Sequence, residues 1–244
     1  MHRFYVPCQN ISPDKIIISD KSQVHHISCV LRLKPKEEAI IFDEKGNEYG
    51  VIIEEVSAQG VGFKIKTRHK FVPSRRLKVT VACALPKKSK MDEIVDKLTQ
   101  LGVDRIIPLK TQRVVVKLDE HKKILRKNRW EKIAQSASLQ SQRNTIPAIE
   151  SIKDIKEILS KAQDFDLKLI PTLTGKRKSL KEILGKSKFT NVLVLIGPEG
   201  DFTPAEVNLA KKAGCIPVSL GDLVLRVETA AIAVASFIRL YENG

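Results

Sequence analysis

Two glycine-bearing loops toward the C-terminal end carry the residues best suited to chemistry. The first is Gly197-Pro198-Glu199-Gly200-Asp201. The second runs from Gly221 to Val227 and places Arg226 just ahead of Glu228 and Thr229. Gly197, Gly200 and Gly221 let the backbone come close to a ligand, because no Cβ intervenes. Loops that offer bare N–H and C=O groups can read the edge of an adenine. Ordinary strand–helix turns use the same residues, and spacing alone does not separate the two readings.

The flanking sequence says what must hold these loops. Val192–Ile196 is a short apolar run ending at Gly197-Pro198, which predicts a buried strand and a tight turn. Thr203 stands at an N-cap position, Pro204 at the first helical position and Glu206 three residues after the cap. Gly214 closes that helix. Ile216–Leu220 predicts a second buried strand, and a long apolar helix over Glu228–Tyr241 follows the second loop. Ligands of open α/β sheets sit in loops of this kind, outside the carboxyl ends of strands. A bulky residue at Gly197 or Gly221 is therefore expected to block a ligand and leave the fold intact.

Composition narrows the class. The chain has 244 residues, 42% of them hydrophobic and only 5% aromatic, so the expected core is aliphatic. No apolar run reaches membrane-spanning length, and the N-terminus MHRFYVPCQN carries no apolar signal segment, which suggests a cytoplasmic protein. Cys8, Cys29, Cys83 and Cys215 lie far apart without CxxC spacing and are expected to be buried free thiols. Five scattered His, including His25-His26, make no metal-binding pattern, and no metal is expected. The net charge is +15, of which residues 1–72 carry only +2. Residues 110–150 hold 10 basic against 4 acidic side chains. Charge so concentrated points to an anionic polymer such as nucleic acid, although a solvated surface has the same look.

In chain order, residues 1–72 predict a small β-rich domain. Its strands are expected at Lys15–Ile18, Ala39–Phe42, Tyr49–Val56 and Gly62–Thr67, with one helix at Ser22–Leu31 carrying Val24, Ile27, Val30 and Leu31 inward. Phe71–Arg76 reads as a linker. Leu77–Leu85, a helix over Met91–Leu101 and Val103–Leu109 form a βαβ unit, which implies a parallel sheet. A helix at Asn128–Gln142 buries Trp130, Ile133, Ala134 and Ala137. Leu167–Ile170 is a further strand, and Pro171-Thr172-Leu173 at its end is a third loop able to face a ligand.

GPEGDFTPAE together with SLGDLVLRVETA resembles the paired signature of the SPOUT methyltransferases, and more narrowly the 16S ribosomal RNA (uracil-N3) methyltransferase family, ribosomal RNA small subunit methyltransferase E. That family is written with GPEGGF, so Asp201 stands where a second Gly is usual. Asp there must adopt a conformation that Asp tolerates better than most residues. Three further stretches are similar to the same family: HHISCVLRLKPKEEAIIFDEKGNEY, the LGV-to-Arg113 segment, and the Gln140-Ser141-x-Arg143 helix ending. The resemblance covers nearly the whole chain.

The resemblance implies a PUA-like barrel over 1–72 and an α/β SPOUT domain over 73–244. The latter would be a trefoil-knotted parallel sheet with helices on both faces. It implies S-adenosyl-L-methionine held by Thr172 and Leu173, by Leu195, Ile196, Gly197, Pro198, Glu199 and Gly200, and by Leu220, Gly221, Leu225, Arg226, Glu228, Thr229 and Ala230. It implies a homodimer and 16S ribosomal RNA within the small subunit as partner, with RNA contacts at Arg3, Arg32, Lys87, Lys88, Arg113, Gln140 and Arg143. Uridine N3 is a poor nucleophile until its proton leaves. Arg226 is the first candidate to stabilise the anion then formed; Glu199 and Glu228 are candidates to take the proton or to orient Arg226. The last helix can serve as core or as dimer contact through Ala231, Val234, Phe237 and Ile238. No G-x-G-x-x-G or P-loop motif is present, which disfavours a dinucleotide enzyme or an ATPase. A noncatalytic RNA-binding or assembly factor is the alternative, and it would need no cofactor.

Overall fold

The computed structural model describes residues 1–72, 77–86, 90–113, 119–173, 175–185 and 189–242. The chain forms two compact units, Met1–Pro73 with Ser138–Ile146, and Ser74–Ala137 with Pro147–Gly244.

The first unit is built on a five-stranded sheet. β1 (His2–Tyr5), β2 (Lys15–Ile18), β3 (Glu38–Phe42), β4 (Glu48–Val56) and β5 (Val61–His69) lie in the order β1-β3-β4-β5-β2. Only β1 and β3 run parallel. The expected PUA-like barrel is built as a half-barrel sheet with β1 and β2 at its two edges. Register shifts at Gly50/Val51 and Ile53/Glu55 mark bulges, which bend such a sheet. Tyr49, Val51 and Ile53 alternate inward and pack with Phe4, Ile16, Ile41 and Phe63. Full burial of each such side chain stabilises by roughly 1.5–3 kcal/mol.

α1 (Lys21–His25) starts at Asp20, whose carboxylate accepts the Gln23 N–H at 2.9 Å. It continues as a π-turn over His26–Val30, in which Leu31 N–H donates to the His26 carbonyl. The wider turn shifts the phase of the expected helix. Val24 and Ile27 stay buried, whereas Val30 is carried out to 60% exposure. The segment Ser138–Ile146 joins this unit through Arg3, which donates to the Asn144 side chain.

The second unit contains an eight-stranded sheet whose pairings are all parallel. Its strands are β6 (Lys78–Ala84), β7 (Arg105–Lys110), β8 (Ala148–Ile149), β9 (Lys153–Asp154), β10 (Leu167–Pro171), β11 (Lys178–Ser179), β12 (Asn191–Ile196) and β13 (Ile216–Ser219). The order is β11-β13-β10-β12-β6-β7-β8, with β9 also on β7. β8, β9 and β11 have two residues each, too short to leave a hydrophobic period in the sequence.

Helices cover both faces. Leu193 and Leu195 of β12 and Ala82 of β6 point to one side, where they pack with α4 (Ile155–Leu159) and with Ala210 of α6 (Pro204–Lys212). The alternate residues face α7 (Val227–Glu242), which packs on β6, β12 and α2 (Lys90–Gln100). α5 (Leu180–Leu184) is a short helix after β11. α3 (Glu120–Gln140) starts eight residues earlier than Asn128, because Asp119 caps it by accepting the Lys122 N–H at 2.8 Å. Its first two turns carry only Ile124 and Leu125 as apolar residues, both exposed, beside charged residues that form i,i+3 and i,i+4 ion pairs, so apolar periodicity does not reveal them.

All four cysteines are free. Cys83 and Cys215 are buried as expected, but Cys8 is half-buried and Cys29 exposed. Cys29 lies in the π-turn, on the side away from Ile27. No helix among the described residues is long and apolar enough to cross a membrane.

Candidate functional site

Three loops meet at one end of the parallel sheet because β10 lies between β13 and β12. β12 and β13 are consecutive in this part of the chain yet not adjacent in space. The strand from before them fills the gap, so the loop after β10 stands between the other two. Crevices at such interruptions of strand order are where ligands bind in open sheets.

The loop after β12 is a tight turn closed by the Asp201 N–H donating to the Pro198 carbonyl at 2.9 Å. Asp201 has φ +62°, the left-handed conformation anticipated for it. Its carboxylate accepts the Phe202 N–H at 2.8 Å and the Leu173 N–H at 2.9 Å. α6 then starts in a capping box between Thr203 and Glu206. Glu206 is buried and also accepts the Gln112 N–H at 2.9 Å. The loop after β13 turns at Gly221, whose φ is +112°. The loop after β10 is anchored by the Thr172 N–H donating to the Val218 carbonyl.

Together these loops line an open pocket with about 550 Å³ of empty space, the solvent at its mouth included. Of the residues expected at a cofactor site, Thr172, Leu173, Ile196, Gly197, Pro198, Glu199, Leu220, Gly221, Leu225 and Ala230 line it. Pro171, Arg177, Asp201, Leu223, Val224 and Val227 line it too, although the sequence reading, which named the loops of all but Arg177, put none of them in the cofactor-binding set. The sequence signal for Leu223 and Val224 was an apolar pair inside a loop flanked by strand and helix; the structure leaves them 80% and 72% exposed. Arg177 carried no signal, since it sits in a Lys/Arg-rich run between two elements.

The other expected residues lie around the cavity rather than on its walls. Leu195 is fully buried in the sheet core. Gly200 lies under Arg113, whose guanidinium donates to the Gly200 carbonyl and to the Asp201 carbonyl at 3.3 Å. Arg226 and Thr229 are exposed at the start of α7. Glu228 is buried and ion-paired with Lys90, the first residue of α2. Burial pushes the Glu228 carboxyl up. The Lys90 hydrogen bond, its own backbone N–H and the charges of Lys90 and Arg226 outweigh that and hold it below the ordinary carboxylate range. Burial, with the Glu228 and Glu199 charges beside it, pushes the Cys83 thiol up, so Cys83 is an inert core residue.

The structure corrects the expectation for bulky residues in the two glycine loops. A Cβ at Gly197 would stand 3.0 Å from Phe202 Cδ2 and 3.3 Å from its backbone N, and Phe202 is core. At Gly221 a Cβ meets nothing within 4 Å, but φ +112° strains any L side chain. Neither change leaves the local backbone undisturbed.

The expected RNA contacts are scattered. Arg3 has its side chain only 11% exposed; it pairs with Glu48 at 3.1 Å, donates to Asn144 and lies over the Phe42 ring. Arg32 and Gln140 are exposed. Arg143 is half-buried and donates to Thr145 Oγ1 at 3.4 Å. Lys87 and Lys88 lie outside the described residues.

Comparison with known proteins decides what this site belongs to. A family model described as an RNA methyltransferase domain matches residues 73–239, and one described as an RNA methyltransferase PUA domain matches residues 18–66. The ribosomal RNA small subunit methyltransferase E of Bacillus subtilis is 30% identical, over 98% of this chain and 96% of its own. The chain belongs to the ribosomal RNA small subunit methyltransferase E family. Solved structures resemble it over nearly its whole length. A methyltransferase from Legionella pneumophila, in complex with bound SAM, has a TM-score of 0.87 at 30% identity, covering 98% of this chain and 96% of that one. The small subunit methyltransferase E of Neisseria gonorrhoeae, bound to S-adenosyl methionine, has a TM-score of 0.86 at 29% identity, covering 98% and 97%. The cavity lies wholly within the stretch matched by the methyltransferase E family's RNA methyltransferase domain.

Proposed function

We propose that the chain transfers the methyl group of S-adenosylmethionine to N3 of a uridine in the 16S RNA of the small ribosomal subunit. The observation that carries this is the cavity at the interruption of strand order, walled by both signature loops of a methyltransferase E family member. The wall suits the cofactor. It is apolar at Ile196, Leu220, Leu225 and Ala230, and charged at Arg177, Glu199 and Asp201. Open space lies where a Cβ of Gly221 would stand, so backbone is exposed there.

Thr172, Leu173, Leu195 to Gly200, Leu220, Gly221, Leu225, Arg226, Glu228, Thr229 and Ala230 are the proposed cofactor-binding set. The bound cofactor supplies an electrophilic sulfonium methyl. The residues of this chain must then align N3 with it and deal with the N3 proton. Arg226 is charged, exposed and next to the cavity wall at Leu225 and Val227, which suits it to the uracil oxygens as negative charge develops. Glu228 is held as an anion by Lys90, and a carboxyl with a lowered pKa is a poor proton acceptor near neutrality. Its role is to orient charge. Glu199, exposed on the cavity wall, is the better placed acceptor.

Residues 1–72 serve as the RNA-binding domain and 73–244 as the methyltransferase domain, the latter with the knotted threading its family resemblance implies. Arg32, Lys87, Lys88, Arg113, Gln140 and Arg143 contact RNA, whereas Arg3, its charge matched by Glu48, supports the fold. The protein acts in the cytoplasm as a homodimer. Phe237, Leu240 and Tyr241 of α7 support a dimer: they are 37%, 74% and 44% exposed, while Ala231, Val234 and Ile238 on the other side are buried.

The test is mass mapping of 16S RNA from a strain lacking the protein, together with methylation of that RNA by the purified protein. A missing N3-methyluridine that the protein restores is the expected result. An unchanged modification map would overturn the reading.

A further inference from the structure

The peptide unit joining Thr172 to Leu173 forms part of the cavity wall, and both of its polar groups are taken by side chains. The Leu173 N–H donates to Asp201 Oδ2 at 2.9 Å. The Thr172 carbonyl accepts from Arg177 Nη1 at 3.1 Å. Asp201, Arg177, Thr172 and Leu173 all line the cavity. The second oxygen of Asp201 accepts the Phe202 N–H at 2.8 Å, and Phe202 is core. One carboxylate thus ties the loop after β10 to the loop after β12 and anchors both to the interior.

We propose that Asp201 is a positioning residue for the cofactor: it clamps the 172–173 peptide in its binding-competent orientation before the cofactor arrives. This rests on reading the cavity as the S-adenosylmethionine site. The family resemblance has Gly at this position, and Gly would meet the backbone requirement of φ +62° without strain. What Gly lacks is the carboxylate. Hydrogen bonds to a charged acceptor are among the stronger ones in proteins. A wall fixed in advance spares the cofactor the cost of ordering it.

Asp201→Gly separates the two roles, because it keeps the left-handed backbone and removes the acceptor. Asp201→Asn keeps a left-handed-tolerant residue and one acceptor oxygen. The first readout is amide hydrogen exchange of Leu173 in the cofactor-free protein. Protection is expected in the wild type, lost in Asp201→Gly and partly kept in Asp201→Asn.

The second readout is calorimetric titration with S-adenosylhomocysteine, with no RNA present. Asp201→Gly is expected to bind about tenfold more weakly, the loss of roughly one net hydrogen bond, and Asp201→Asn to fall between. In turnover, KM for S-adenosylmethionine should rise while kcat holds. Wild-type affinity, KM and Leu173 protection in Asp201→Gly would overturn the clamp. A wild type that binds no S-adenosylhomocysteine would instead overturn the cofactor site itself.

Discussion

Gly197→Ala is the sharpest probe of how closely the first signature loop is fitted to its support. The added Cβ would stand 3.0 Å from Phe202 Cδ2, 3.1 Å from Cε2 and 3.3 Å from the Phe202 backbone N. The ring cannot simply swing away, because Phe202 is 3% exposed and packed in the core with Leu195, Ile170 and Ala210. The backbone N cannot yield either, since it donates to Asp201. Overpacking of this kind costs about 1–3 kcal/mol. At about 2–4 °C per kcal/mol for a chain of this size, the melting temperature should fall by about 2–12 °C. Relieving the contact from the other side makes the reasoning specific. Phe202→Leu alone opens a cavity and destabilises, but the double variant should be more stable than the two single losses predict, by about 0.5–3 kcal/mol of coupling. Thermal unfolding of the four proteins gives the cycle. A wild-type melting temperature for Gly197→Ala, or strict additivity in the cycle, would refute the claim that Phe202 is what requires glycine there.

The other predictions concern charge. Arg226→Ala should reduce turnover far more than S-adenosylhomocysteine affinity, and Arg226→Lys should recover only part, since a point charge does not replace the planar fork; single-turnover rates should also rise toward wild type at alkaline pH, and equal loss at every pH would remove Arg226 from the uracil proton. Arg113→Ala should weaken S-adenosylhomocysteine binding even without RNA, because its guanidinium supports the Gly200 and Asp201 carbonyls; calorimetry giving wild-type affinity would leave Arg113 to RNA alone. Arg3→Ala should lower the stability of the N-terminal unit by leaving Glu48 and Asn144 unpartnered, while the salt dependence of RNA binding keeps its slope. Glu228 has a folded-state pKa below its ordinary 4.5, so its ion pair stabilises above that value and is lost as pH falls through the lowered one. The stability gap between wild type and Glu228→Gln should therefore be full at neutral pH and close in acid, and a gap independent of pH would show that the pair is not the source.

Much of this molecule is written in local sequence. The run Val192–Ile196, the Thr203-Pro204-x-Glu206 capping box and the Gly214 ending each depend on neighbours within a few residues, and each forms as read. So does the left-handed Asp201, because a tight turn closed onto Pro198 leaves its backbone little choice. Most of the cavity-lining residues were legible for the same reason: loops directly after buried strands are where a parallel sheet exposes backbone. Tertiary structure decided what depends on strand order and on partners far along the chain. Nothing local to Leu167–Pro171 says that it inserts between β12 and β13, yet that insertion brings Leu173 to Asp201 and builds the third wall. Lys90 and Glu228 are separated by more than half the chain, and only packing of α7 on α2 makes them a pair. Arg3 reads as a free surface cation until the fold sets Glu48, Phe42 and Asn144 around it. A side chain's charge is a local property, but whether that charge is available to a ligand depends on what the rest of the chain folds against it.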